Sequence, residues 1–107
     1  MEYMDFKKIL NIIAKAGQNG ETVKIYYPKT ENTPAGWREV EPYSLATDTG
    51  EEGEHLVFGK ETITPGHIFN AYTIGSEDSH CDSFILGKIK LAKRTNRRFK
   101  PRWKIEF

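Results

Sequence analysis

The chain has 107 residues and a formal net charge of +1, a length that supports one buried core and not two, so a single domain over 1–107 is expected. Hydrophobic residues at 37% with nine glycines exclude a compositionally disordered chain, and a lone cysteine, Cys81, excludes an internal disulfide and suits a reducing, cytoplasmic setting. The near-neutral total hides an asymmetry: residues 87–107 hold nine of the sixteen basic residues and one acid, whereas residues 1–86 hold seven basic and fourteen acidic ones.

The opening MEYMDFKKIL carries acids among its first five residues and no apolar run longer than two, so it reads as neither signal peptide nor membrane span. Over residues 3–16, Phe6, Ile9, Leu10 and Ile13 fall at helical spacing opposite Lys7, Lys8, Asn11 and Lys15, predicting one amphipathic helix with a C-cap in the following GQNG, at Gly17. In TVKIYYP, Val23, Ile25 and Tyr27 alternate with Lys24 and Tyr26, as in a strand with one buried face. WREVEPYSL is a second strand in which Pro42 calls for an edge, a bulge or a bend. After the loop ATDTGEEGE come a short strand, HLVFG, a loop, KETITPG, a strand, HIFNAYTI, and a turn, GSEDSH.

DSFILGKIKLA changes phase, with Phe84 and Leu86 in one register and Ile89 and Leu91 in the other, which predicts a β-bulge at Gly87 and Lys88 inside one bent strand. RTNR then supplies a turn, and Phe99, Pro101, Trp103, Ile105 and Phe107 alternate with Lys100, Arg102, Lys104 and Glu106 as a last half-buried strand, so that residues 88–93 pair with 98–104 in a basic hairpin. The fold class is mainly β with one N-terminal helix: a helix over 3–16 and a small, strongly bent barrel of about five or six strands over 22–107.

Four strands in order, VKIYY, WREVEPYSL, EHLVFG and DSFILGKI, carry a wider pattern: Arg38, Val40, Glu41 and Pro42 on the second, and Phe84 opening a strand that ends at Lys88 and Ile89. From about Val23 to Lys93 this resembles the WYL domain, a bacterial module with an Sm-like small barrel. The Trp-Tyr-Leu triplet that names that family is absent; Glu54, His55 and Leu56 fit its place best, with His67, Ile68 and Phe69 as a rival, and Ile85 stands where the family usually has an Arg. The resemblance implies an Sm-like barrel and a sensor in transcription regulation that binds nucleic acid or a nucleotide-like ligand. WYL domains usually follow a winged helix-turn-helix, which the twenty-one residues before the first strand cannot hold, so the chain reads as a stand-alone WYL domain or one cut from a longer protein.

The basic hairpin is the strongest candidate surface. Like charges facing each other across a hairpin oppose pairing by up to about 1 kcal/mol each, a cost that a polyanion would remove. The candidate ligand residues are Arg38, His67, Lys88, Lys90, Arg94, Arg97, Arg98, Lys100, Arg102 and Lys104, with Trp103 or Phe99 able to stack bases if left exposed. The alternatives are a solvated edge strand, or an acidic partner, including a second copy of the chain in a homodimer.

Arg38 shares a face with Val40 and should point to the barrel interior or its mouth, toward an anionic ligand or an internal ion pair with Asp82 or Glu41. His67 beside Gly66 is a ligand-pocket candidate at a strand start. Enzymatic chemistry is not expected. Glu39 and Glu41 lie two apart with no supporting residues and read as a solvated face, and His80 and Cys81 are neighbours that an extended chain points to opposite faces. With His55 and His67 upstream but no zinc-like spacing, neither a metal site nor a catalytic thiol is predicted, and GEEGE would repel a phosphate, so no cofactor is expected.

Overall fold

A computed structural model describes residues 4–30, 34–46, 56–58, 61–63, 65–75 and 80–107. Helix α1 spans Phe6–Asn19, starting where the Asp5 carboxylate accepts the Lys8 N–H at 2.8 Å. It does not stop at Gly17. The C-cap is Gly20, whose φ of 66° is left-handed and whose N–H returns to the carbonyls of Ala16 and Gly17. Gly17 serves a different purpose: a Cβ there would lie 2.4 Å from the Phe107 ring, so glycine lets the C-terminal residue seat against the helix.

Among the described residues seven strands follow: β1 (Glu21–Tyr27), β2 (Gly36–Ala46), β3 (Leu56–Phe58), β4 (Glu61–Ile63), β5 (Ile68–Thr73), β6 (Asp82–Ile85) and β7 (Leu91–Arg98). Five of them form one antiparallel sheet in the order β6-β5-β2-β1-β7, while β3 and β4 pair with each other as a separate two-stranded sheet. KETITPG, expected as loop, thus contributes the strand Glu61–Ile63, and Leu56–Phe58 of the expected strand HLVFG pairs with it outside the five-stranded sheet. The fold is mainly β with one helix, and among the described residues β6 and β7 share no ladder, so the sheet is open.

Pro42 sits within an interior strand, and the expected irregularity is there: the β2–β5 register shifts between Pro42 and Ser44. The second irregularity takes another form. A single 3-10 turn, Leu86–Lys88, replaces the expected bulge, ending β6 and sending the chain to the opposite edge of the sheet. The turn still brings both phases inward, since Phe84, Leu86 and Ile89 are all buried. Gly87 is held against the preceding loop; its N–H bonds the Pro65 carbonyl at 2.8 Å, and a Cβ would meet the Pro65 ring at 2.5 Å.

The largest departure concerns the C-terminus. Residues 91–98 form one strand through RTNR and pair with β1, with a register shift opposite Glu21 and Val23 and Asn96 at φ 60°. Residues 99–107 form no strand, so the basic hairpin does not exist. The aromatic side chains dock individually. Trp103 stacks edge-on to Tyr43 at 5.2 Å, Phe99 does so at 5.7 Å, and Phe107 meets Phe69 at 6.2 Å.

The core joins Ile9, Leu10 and Ile13 of α1 to Val23, Ile25 and Tyr27 of β1, Val40, Phe69 and Phe84. Met4 guards the outer edge of β7, its N–H bonding the Lys90 carbonyl at 3.0 Å while its Sδ accepts from the Ala92 N–H. No helix among the described residues is long and apolar enough to cross a membrane.

Candidate anion-binding site

Tyr27 ends β1, and Pro28 stops the strand, so the next residues turn away from the ladder. On the facing side, burial of Ile89 points its neighbours Lys88 and Lys90 outward. These two segments enclose a cleft of about 870 Å³ lined by Tyr27, Pro28, Lys29, Thr30, Ile85, Lys88 and Lys90. Its wall is rigid, since the Tyr27 hydroxyl accepts the Ile85 N–H at 2.9 Å and the Tyr27 ring meets Phe84 edge-on at 5.0 Å. Three lysines around an aromatic and aliphatic wall suit an anion that also has a flat or apolar part.

Arg38 lies beside this wall. Its guanidinium sits 5.3 Å from the Tyr27 ring centre and 5.7 Å from that of Phe84, and it donates to the Pro34 carbonyl at 3.2 Å. The ion pair with Asp82 or Glu41 does not form: Asp82 accepts from the Thr73 hydroxyl, and Glu41 from Tyr43 and Arg102. His67 also belongs to this region. Its carbonyl accepts the Leu86 N–H at 2.9 Å, so it buttresses the turn that carries Lys88, and its side chain is half-buried.

The remaining predicted residues divide into two groups. Arg94 bonds Glu21 at 2.7 Å, Arg97 pairs with Glu39, and Arg102 reaches Glu41 at 3.3 Å, so three of the basic residues are matched by acids within the fold. Glu39 and Glu41 are therefore not a solvated pair; Glu39 also accepts from the Thr22 hydroxyl, and Glu41 is 4% exposed. Arg98, Lys100 and Lys104 are exposed and lie away from the cleft lining. Of the predicted residues, Lys88 and Lys90 line the cleft, Arg38 lies against its Tyr27 wall, and His67 meets the turn that carries Lys88 through its backbone; Lys29 and Tyr27 were missed, and their only sequence signal was a lysine and an aromatic on either side of a strand-ending proline.

Among the described residues no three His, Cys, Asp or Glu side chains group as metal ligands, while Glu54, His55 and the GEEGE loop lie outside the described residues. Burial, then the charges of Asp82 and Glu41, push the Cys81 thiol above its usual pKa, the reverse of what activates a nucleophile. Iodoacetamide is expected to alkylate Cys81 several-fold more slowly in the folded chain than in urea-unfolded chain between about pH 7 and 9; an equal or faster rate would mark an activated thiol.

No protein-family model matches the chain, and no curated protein is significantly similar to it in sequence.

Proposed function

We propose that this chain is a non-enzymatic, cytoplasmic ligand-binding module of the WYL type, which takes a nucleotide-like anion or single-stranded nucleic acid at the Tyr27 cleft and serves in transcription regulation. The observation that carries the reading is the convergence of Lys29, Lys88 and Lys90, from two separate segments, on one aromatic-walled cleft. Positive side chains lining one cleft favour an anion there. Phosphate supplies that charge, and the Tyr27 and Ile85 wall offers a surface for a base or sugar.

The Sm-like barrel plan belongs to the same proposal. Two features support it: the edge strands β6 and β7 are joined through residues 86–90 alone, and Tyr27 of β1 bonds the backbone of β6. An open sheet must curl for either to occur.

The test is fluorescence anisotropy with a labelled oligothymidylate of about twelve nucleotides, within the usual site size for such modules, titrated at several salt concentrations. Wild-type affinity should fall linearly with salt on logarithmic axes, and the triple substitution Lys29→Ala, Lys88→Ala and Lys90→Ala should lower that slope by about 2. A slope unchanged by the three substitutions would reject the cleft as the binding site.

A further inference from the structure

The face of the sheet turned away from Val23, Ile25 and Tyr27 carries two ordered rows across β2, β1 and β7. Register places Trp37, Tyr26 and Leu91 side by side in one row, and Glu39, Lys24 and Lys93 side by side in the next. The rows are two residues apart along β1, about 6.6 Å. The first is an aromatic shelf: Trp37 is 49% exposed, and its indole is fixed edge-on to Tyr26 at 5.7 Å. The second is positive, because the Glu39 carboxylate is taken up by Arg97 and the Thr22 hydroxyl, leaving Lys24 and Lys93 as direct neighbours. Lys24, Trp37, Arg38, Glu39 and Lys93 frame a shallow recess of about 410 Å³.

Like charges placed directly opposite weaken a ladder, and a large aromatic ring half in water forgoes part of the gain that full burial would bring. Both features are relieved by one kind of occupant: a strand whose backbone is anionic and whose bases present an unpaired flat face. A duplex keeps its base faces stacked internally, so it offers no surface to the indole. We propose that this outer face is the track of a single-stranded nucleic acid, with a base stacked on Trp37 and backbone phosphates beside Lys24 and Lys93. Arg38 adjoins the recess from the strand between Trp37 and Glu39, while its side chain, on the opposite face of β2, lies over Tyr27.

This inference rests on the anion-binding reading of the cleft and makes the ligand a polynucleotide, not a mononucleotide. It would be tested by measuring thymidine monophosphate, oligothymidylates of increasing length and a DNA duplex of matching length against the wild-type chain, the Trp37→Ala and Lys24→Ala/Lys93→Ala variants, and the triple cleft variant. The expected result is tighter binding with each added nucleotide up to a plateau. Trp37→Ala should weaken the longer oligomers at least about fivefold, as loss of one stacked base does, and leave the monophosphate unchanged; Lys24→Ala/Lys93→Ala should lower the salt slope by about 1.4. Monophosphate and oligomers bound alike, with Trp37→Ala within twofold of wild type, would overturn the track while leaving the cleft reading intact. Binding of neither probe would sink both, and equal binding of duplex would also overturn it.

Discussion

Phe69→Ala is expected to cost about 3–5 kcal/mol of folding stability, the range for removing a large aromatic from a core. Phe69 is fully buried, faces Leu45 and Phe84 across neighbouring strands, and packs its ring 6.3 Å from Phe84 and 6.2 Å from Phe107. It thus joins β2, β5, β6 and the C-terminal segment at one point. Domains of this size are stable by about 5–15 kcal/mol, so the loss takes a large share of the whole. Urea unfolding monitored by tryptophan fluorescence measures it, and Phe69→Leu, which keeps most of the volume, should lose much less. A loss below about 1 kcal/mol for the alanine variant would show a core that collapses to fill the space.

Glu41→Ala is expected to release the C-terminal segment from the sheet. The Glu41 carboxylate is buried and accepts the Tyr43 hydroxyl at 2.6 Å and Arg102 Nε at 3.3 Å. Arg102 in turn lies 4.0 Å from the Tyr72 ring centre and donates its N–H to the Tyr43 oxygen at 3.0 Å. Without the carboxylate, the buried phenol loses its acceptor, at about 1–3 kcal/mol; the half-exposed Arg102 adds little through charge alone. Trypsin should then cut after Arg102 and Lys104 several-fold faster, read as loss of C-terminal peptides by mass spectrometry. Glu41→Gln, which keeps an acceptor, should fall between the two, and wild-type cleavage in the alanine variant would mean the aromatic contacts hold the segment alone.

The same cluster carries a pH dependence. Burial, and then the hydrogen bond to Glu41, raise the Tyr43 phenol well above its usual pKa. The native chain therefore keeps that proton where the unfolded chain has lost it. Its contribution is complete below about pH 10, the unfolded value, and declines as pH rises further. Tyr43→Phe should remove this component of the alkaline decline in stability.

Much of the chain was legible from periodicity. The 3.6-residue pattern of Ile9, Leu10 and Ile13 required an amphipathic helix, and the two-residue pattern of Val23, Ile25 and Tyr27 a half-buried strand; both are present. Pro42, lacking an N–H, required a break in its ladder, and the register shift sits beside it. The tail departs from its expected strand for a physical reason. Strict alternation of Phe99, Trp103 and Phe107 with charged residues satisfies a strand, but it satisfies equally a coil whose rings dock separately on Tyr43, Tyr72 and Gly17.

Charge was legible as an inventory and not as a surface. Crowding of basic residues after Gly87 is a property of the sequence alone, as is the resulting demand for counter-charges. Which of them meet acids within the fold was decided by strand order: β1 beside β2 and β7 puts Glu21 near Arg94 and Glu39 near Arg97. The same order aligned Lys24 with Lys93 and Tyr26 with Trp37, and the 3-10 turn after β6 carried Lys88 toward Lys29. A local hydrophobic period states which side of an element faces the core, because that depends on the geometry of consecutive residues; it does not state which distant element lies alongside, because that depends on the packing of the whole sheet.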